Sequence, residues 1–356
     1  MHTKKLYHRI RFWAGILLVQ FLLFYVLSYS SIAVNIFSLF FEWKKFVHQW
    51  LSSKLPFSIG DVFYIVLAVL LIWTLYQWIV SSNRKTSVRK LLVGINLFYF
   101  IYQWVWGMLY FQPPIINQLS SKDPSIEDAK HLSLKYLNHC KQLRNKVKEN
   151  RDGVFEYPSL ANIKQNILQQ QYHLPKFLDY KTPTNIDDFK SSLFAPIMAY
   201  TGILGYYNPF TAEAQYHQNL PQTYIPFTLA HESAHQLGYA REEEANFIGY
   251  LIGIQSQDKN LQYSTAYFTL KSLLSDLYDT EPEFVEQILN QYSEGMKRDR
   301  AYEMAFREVH RGKLEDFFGW TNHLFLKSNR QDGRITYSYF TRLLLKYEAE
   351  YPLKFH

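Results

Sequence analysis

The stretch "PFTLAHESAHQLGYAREEEANF", Pro226 to Phe247, predicts the architecture of the second half of the chain. Its apolar spacing indicates one helix that ends near Gly238 and a second helix that begins near Arg241. Gly238 occupies the left-handed cap position that glycine favours at a helix end. Because the turn is short, we expect the start of the second helix to return toward the end of the first.

Two histidines of the first helix indicate a metal site. His231 and His235 are four residues apart, so a helix places both imidazoles on one face, one turn apart. Two such imidazoles can bind one Zn²⁺ ion, and Glu232 points beside them, where it can take a proton from water at the metal. This is the H-E-x-x-H pattern of zinc metallopeptidases. The alternative is a pair of hydrogen-bonded core histidines.

The first turn of the second helix supplies candidates for a third ligand. A catalytic zinc site takes three protein ligands and keeps a fourth position open. We predict Glu242 as the third ligand, and Asn246, four residues on along the same face, as a supporting hydrogen-bond partner. Glu244 is the second candidate for the ligand and Glu243 the third. The alternative is that these glutamates only stabilise the helix N-terminus through its dipole.

Further residues near the motif are candidates for binding the substrate. Zincin-type peptidases hold an extended peptide against an edge strand, and "APIMAYTGILGYY", Ala195 to Tyr207, is the predicted strand. Stabilisation of the oxyanion usually comes from Tyr, His or Arg near the metal. Four residues meet this description, namely Tyr206, Tyr207, His217 and Arg241. Their alternative role is core packing or, for Arg241, a salt bridge to the glutamates.

Three long apolar runs without charge fill the first third of the chain, at residues 12–29, 62–80 and 91–111. Each is long enough to cross a bilayer, which is therefore an expected partner. No small-residue cleavage site follows the first run, so we expect a retained anchor rather than a signal peptide. Buried core helices are the alternative. The aromatic-rich region near 35–55 predicts an amphipathic helix in the membrane interface.

The charge distribution bears on partners and on topology. The net charge is +7, but residues 1–111 hold 11 Lys and Arg against 2 Asp and Glu, and the remainder is slightly acidic. No basic groove for phosphates is indicated, so nucleic acid is not an expected partner. Basic clusters at the N-terminus and at residues 84–90 predict cytoplasmic segments. With three spans, the chain after about residue 112 would lie outside the cytoplasm.

The pattern of the whole chain predicts a mainly α fold with a small β element, of the α+β class. Helical spacing occupies 125–150, the region near 160–174, and most of 226–351, with a turn predicted at Ser328 to Gly333. Residues 192–225 alternate in short pieces rich in Tyr, Gly and Pro, which indicates a few strands. We expect a membrane anchor at 1–111 and a soluble domain at 112–356. The single cysteine, Cys140, excludes an internal disulfide.

Three segments resemble an uncharacterised family of membrane proteins from Bacteroidetes-type bacteria. They are "WGMLYF" at the end of the third apolar run, "YYNPFTAEAQYHQNLPQTYIPFTLAHESAHQLGYAREEEANF", and "FLKSNRQDGRITYSYFTRLLLKYEAEY". The resemblance implies three spans in the bacterial inner membrane, followed by a zincin-like domain with a zinc-metallopeptidase centre.

"REEEAN" is also similar to the E-x-x-A-N element of gluzincin peptidases, whose first glutamate binds zinc. That glutamate corresponds to Glu242, although the gap after His235 is shorter here than in most gluzincins.

These observations lead to one hypothesis and two alternatives. The hypothesis is a membrane-anchored zinc metallopeptidase that cuts peptide or protein substrates, with its N-terminus in the cytoplasm and its catalytic domain in the periplasm. One alternative is a non-catalytic envelope module in which zinc only braces two helices. The other is a metal-dependent hydrolase of a non-peptide envelope component, such as a cell-wall amide.

Overall fold

The structure, a computed structural model, describes residues 9–80, 84–119, 123–178, 181–329 and 339–353. It is mostly helical with small sheets, as the sequence predicts. The chain forms two compact units. The first comprises Met1–Gln112 and Asn208–Glu213, and the second comprises Pro113–Tyr207 and Ala214–His356.

The described part of the first unit contains four α-helices: α1 Ile10–Leu27, α2 Ser31–Ser52, α3 Ile59–Val80 and α4 Arg84–Val105. Within the described ranges, α1 and α3 are long and apolar enough to cross a membrane, with mean hydropathies of 2.0 and 2.1. Few of their residues are buried, as suits helices that face lipid. These two candidate spans associate the chain with a membrane.

The third predicted span differs from the other two. The basic residues expected in a linker at 84–90 form the first two turns of α4, which lower the apolar character of that helix. It meets the criterion for a span only together with the segment Gly107–Gln118, across a bend of 50°. The number of candidate spans is therefore two, or three if this bent pair is one span.

The region predicted as an interfacial helix forms α2. Its N-terminus is capped by Ser30, whose hydroxyl accepts a hydrogen bond from the backbone N–H of Ala33. One face of α2 is buried and includes Phe37, Phe41 and Lys44. The opposite face exposes large apolar side chains such as Trp43, and a position of α2 in the membrane interface stays a prediction.

Residues 208–213 belong to the first unit, whereas the sequence places them in the C-terminal domain. The ring of Phe210 lies 5.1 Å from those of Phe63 and Phe98. The carboxylate of Glu213 accepts hydrogen bonds from two backbone N–H groups at the start of α3, at 2.9 and 2.5 Å. Lys44 Nζ donates to the carbonyl of Pro209. The buried carboxylate of Glu213 therefore lies at the N-terminus of α3, which is the positive end of the helix dipole.

The second unit contains ten helices in its described part. They are α5 Ile126–Arg144, α6 Leu160–Gln170, α7 Ala195–Thr201, α8 Ile225–Leu237, α9 Glu242–Ile254, α10 Lys259–Leu277, α11 Pro282–Asn290, α12 Glu294–His310, α13 Lys313–Ser328 and α14 Tyr339–Glu350. Helix α5 begins at a capping box formed by Ser125 and Asp128. The turn predicted at 328–333 lies mostly outside the described residues.

Two small sheets accompany these helices. Strands β1 Lys148–Glu149 and β2 Phe155–Glu156 form an antiparallel pair. Strands β3 Phe189–Ser191, β4 Gly205–Tyr207 and β5 Ala214–Tyr216 form a sheet in the order β3-β5-β4. β5 is parallel to β3 and antiparallel to β4, so β4 is an edge strand.

The predicted strand at Ala195 to Tyr207 is wrong over its first half. Ala195–Thr201 is helix α7, and only the last three residues are strand β4. Pro196 lies in the first turn of α7, where its fixed φ favours a helix start, and Gly202 ends the helix with φ 72°. The apolar pattern fits a strand as well as a short helix, and Pro196 and Gly202 favour the helix.

Helices α8 and α9 form the core of the second unit, and almost all their side chains are buried. Gly238 ends α8 with φ 102° and ψ 16°, the left-handed conformation that the sequence predicts. Gly249 of α9 approaches the backbone of α8 so closely that a Cβ there would lie 2.9 Å from His231 N. Gly253 packs in the same manner against Thr265 of α10. Glycine therefore sets the spacing of the two central helices.

Candidate metal centre

The side chains of His231, His235 and Glu242 meet at the junction of α8 and α9. His231 Nε2 lies 3.4 Å from Glu242 Oε2, and His235 Nε2 lies 3.8 Å from Glu242 Oε1. One ligand atom from each residue falls within 4.8 Å of the others. Ligand atoms about 2.0–2.1 Å from a tetrahedral zinc ion are about 3.3–3.4 Å apart. The three side chains therefore fit a zinc ion with small adjustments.

Hydrogen bonds on the far side of each imidazole set its tautomer. His231 Nδ1 lies 2.8 Å from Asn246 Oδ1, and His235 Nδ1 lies 2.7 Å from the backbone carbonyl of Tyr239. Both partners are oxygen acceptors, so each Nδ1 carries the hydrogen and donates it. In the neutral ring each Nε2 then keeps its lone pair on the side where Glu242 lies, whereas a protonated His231 donates from Nε2 to Glu242. This is the orientation that second partners impose on zinc-binding histidines.

Burial and charge set the protonation of the three side chains. Burial lowers the pKa of His235 to about 4, so its imidazole is neutral near pH 7, as a ligand must be. Burial also opposes charge on His231, but its hydrogen bond with Glu242 and the nearby carboxylates raise the pKa of His231 on balance. Glu242 is buried too, yet its bond with His231 and the histidine charges lower its pKa. Glu242 is therefore an ionised carboxylate, the form that can bind a cation.

Glu232 lies beside this group with a carboxyl that is almost fully buried. Its exposed fraction is 3%, and its Oε2 has no hydrogen-bond partner among the residues that the structure describes. Burial, and then the charge of Glu242, raise the pKa of Glu232 to about 8, against the effect of His231. A buried, unpaired carboxyl is costly to stability, and a pKa near neutrality suits general acid–base chemistry.

The backbone of β4 passes directly against Glu232. A Cβ at Gly205 would lie 2.8 Å from Glu232 Oε1 and 2.8 Å from the carbonyl oxygen of Gln215. Only a glycine allows this approach. The same strand ends at Tyr207, whose ring centroid lies 6.4 Å from that of His235. The edge strand thus follows α8 from Glu232 to His235.

Solvent reaches the three side chains from one side. The side chains of Glu242 and His231 are 21% and 15% exposed, whereas that of His235 is 7% exposed. The opening therefore lies on the Glu242 and His231 side of the group. Within the described parts of the chain, this is the one group of three or more His, Cys, Asp or Glu residues that could hold an ion.

The other two glutamates are engaged elsewhere. Glu244 Oε1 accepts a hydrogen bond of 2.8 Å from the backbone N–H of Ile115. Glu243 lies 4.0 Å from the guanidinium of Arg241, and burial, followed by the charge of Glu244, raises its pKa to about 8. Neither glutamate is brought to the histidine pair, which leaves Glu242 as the carboxylate of the group.

Of the four oxyanion candidates, the structure places Tyr207 beside the histidines. Tyr206 directs its hydroxyl to within 3.5 Å of Ser192 Oγ, and Arg241 lies near Glu243. His217 accepts a hydrogen bond at Nδ1 from the backbone N–H of Asn219, and its ring lies beside Phe306.

The sequence did not predict two groups that contact the site residues, namely Gly205, which packs against Glu232, and the backbone carbonyl of Tyr239, which binds His235. A lone glycine in a strand pattern was the available signal for the first, since it often marks a close backbone approach.

A family model described as "Protein of unknown function (DUF3810)" matches residues 37–345 of the chain. The match extends from α2 to α14 and includes every residue of the candidate centre. Comparison with curated proteins and with solved structures finds no match.

Proposed function

The chain belongs to the DUF3810 family of proteins of unknown function, and we propose that it is a membrane-anchored zinc-dependent metallopeptidase. The observation that carries the proposal is the geometry of His231, His235 and Glu242, with both Nε2 atoms facing the carboxylate. Three ligands with one side open are typical of catalytic rather than structural zinc sites.

The residues around this centre have the chemistry that peptide hydrolysis needs. Zinc at this site would supply a Lewis acid for the attacking water and the substrate carbonyl. Glu232 would take a proton from the attacking water and pass it to the leaving amine, for which its raised pKa is suited. Asn246 and the Tyr239 carbonyl hold the imidazoles in place. Tyr207 is our candidate for stabilising the oxyanion, because its ring is near His235.

The edge strand β4 is our candidate for binding the polypeptide substrate. An extended peptide can add to the edge of a sheet through backbone hydrogen bonds. β4 runs from Glu232 to His235, so a peptide paired with it would carry its backbone past the reacting groups. A zincin-like arrangement of helix, strand and metal is therefore part of the proposal. The E-x-x-A-N resemblance at Glu242 supports it.

The unpaired carboxyl of Glu232 favours an enzyme over a zinc-braced structural module. A structural site has no use for a buried carboxyl oxygen that lacks a hydrogen-bond partner among the described residues, because such an atom costs stability. It would also close its fourth coordination position with a protein ligand, whereas the described residues bring three.

We further propose that the catalytic domain lies outside the cytoplasm. The support is the basic N-terminus and the basic first turns of α4, which are typical of cytoplasmic segments. Two crossings would return the domain to the side of the N-terminus, so this placement requires the bent third pair to cross as well. A C-terminal alkaline phosphatase fusion should be active and a green fluorescent protein fusion dark. The opposite pair of signals would refute the placement.

The zinc proposal is tested on the full-length protein in lipid nanodiscs. We expect about one zinc per chain in the wild type and in Glu232→Gln, and little zinc in His231→Ala. Cleavage of fluorescein-labelled casein should occur with the wild type only. Equal zinc in the wild type and His231→Ala would overturn the site. Equal cleavage by the wild type and Glu232→Gln would overturn the mechanism.

A further inference from the structure

A small cavity lies in the second unit at the start of strand β4. Its volume is about 240 Å³. Most of its walls are apolar side chains, including Met198, Ala199, Leu204, Leu220, Tyr224 and Phe306. Sites for drug-sized ligands measure about 300–1,000 Å³, so the size of this cavity suits one side chain rather than a whole ligand.

The cavity and the contact with Glu232 involve neighbouring residues of the chain. Leu204 lines the cavity, and the next residue, Gly205, is the one that packs against Glu232. Tyr224, which also lines it, immediately precedes helix α8. An extended chain rises about 3.3 Å per residue. For a peptide paired with β4, the cavity is therefore one or two residues away from the bond opposite Glu232.

The chemistry of the walls selects for an apolar occupant. Leu204 is 39% exposed, so part of the apolar wall is open to solvent. Arg307 and Glu315 also line the cavity and carry opposite charges, which offers no net charge to an acidic or basic side chain. His310 lines it as well, and its Nδ1 is hydrogen-bonded to the carbonyl of Phe306. Apolar burial is then the main source of affinity.

We propose that this cavity binds one large apolar side chain of a polypeptide, such as leucine or phenylalanine. The inference rests on the proposed function for the statement that the bound residue is near the bond that is cut. Binding of the side chain itself requires neither zinc nor catalysis.

The first test measures binding to the full-length Glu232→Gln protein in nanodiscs. The probes are fluorescein-labelled, C-terminally blocked hexapeptides of alanine with a single Leu, Phe or Asp, and the all-alanine peptide. A single apolar residue lets the peptide shift its register until that residue reaches the cavity. We expect the Leu and Phe peptides to bind at least about tenfold more tightly than the other two. Equal affinities for all four would overturn the inference.

The second test fills the cavity. Ala199→Phe should remove the preference for Leu and Phe, because the added ring occupies the space, and Ala199→Val should reduce it. Ile197→Phe is the matched control, since Ile197 is on the same helix but 55% exposed, and it should keep the preference. Thermal unfolding shows which variants fold. If Ala199→Phe does not fold, the smaller substitution Ala199→Val provides the test. A folded cavity variant with undiminished preference would contradict the inference.

The two proposals can fail separately. If the wild type cleaves casein with no apolar preference at the two residues on either side of the cut, the cavity proposal is wrong and the enzyme stands. If Leu and Phe peptides bind preferentially to a protein that holds no zinc, the metallopeptidase proposal is wrong and the cavity stands.

Discussion

The imidazole of His231 and the amide of Asn246 are joined by a contact of 2.8 Å between Nδ1 and Oδ1. The contact links α8 to the second turn of α9 and fixes the imidazole on the side opposite to Nε2. It therefore connects the packing of two helices to the orientation of a candidate ligand. Partners of this kind typically change metal affinity by about 10- to 100-fold.

Removing this partner should weaken zinc binding without unfolding the protein. We expect Asn246→Ala to lower zinc affinity by about 10- to 100-fold, measured by competition with a chromophoric chelator. Asn246→Asp keeps an oxygen acceptor at the same place and should restore most of the affinity. Asn290→Ala, at an exposed position of α11, is the control. An unchanged affinity in Asn246→Ala would show that the contact does not orient the imidazole.

The close approach of α9 to α8 at Gly249 should not tolerate a methyl group. Gly249→Ala places a Cβ 2.9 Å from the backbone nitrogen of His231, so we expect a loss of stability of about 1–3 kcal/mol. Zinc affinity should fall as well, because the ligand helices move apart. Gly94→Ala is the matched control, since no atom lies within 4 Å of its added Cβ, and alanine favours the helix there. Denaturant unfolding compares the two.

The approach of β4 to Glu232 leads to a different expectation. Gly205→Ala would bring a Cβ to 2.8 Å from the carboxyl and from the carbonyl of Gln215, so one of them must shift. Zinc content should stay near that of the wild type, because none of the three ligands is touched. Turnover of casein should fall by at least about tenfold, since a misplaced proton acceptor slows the reaction. A variant with normal turnover would remove Gly205 from the site.

The metal-free protein should show a pH dependence that comes from Glu232. Its pKa in the folded chain is about 8, above the usual value of 4.5, so the folded state binds the proton more tightly. Stability from this group is then full below pH 4.5 and declines as the pH rises toward 8. Chelator-treated Glu232→Gln should therefore be more stable than chelator-treated wild type at pH 8, by about 4 kcal/mol at most, with little difference at pH 4.5.

Thermal unfolding across this range, with chelator present throughout, provides the measurement. Glu281→Gln, at a half-buried position whose carboxyl pairs with Lys130, is a comparison without a buried unpaired carboxyl. Parallel pH profiles for wild type and Glu232→Gln would show that Glu232 is not the titrating group.

Local sequence patterns predict the structure correctly where local geometry determines it. The four-residue spacing of His231 and His235 and the glycine at 238 depend only on helix periodicity and on backbone sterics. They were enough to foresee two helices and a group of three side chains at their junction. Whether that group binds zinc stays a prediction.

Nonlocal contacts account for what the sequence did not reveal. Glu244 was the second candidate for the third ligand, and its engagement elsewhere depends on a backbone N–H 129 positions away at Ile115. The strand predicted at 195–207 failed because an apolar run fits a short helix as well, and Pro196 decides the matter. The contact of Gly205 with Glu232 joins two elements whose proximity no spacing rule foresees.

The return of residues 208–213 to the first unit makes both units discontinuous in sequence. A truncated protein that starts near residue 113 would keep Phe210 and Glu213 but lose Phe63, Phe98 and the start of α3. An aromatic ring and a carboxylate would then be left without their partners, next to the strands that flank the candidate centre. Removal of the first unit therefore also alters the part of the chain that holds the candidate centre, and failure of such a fragment would say nothing about the chemistry of the intact chain.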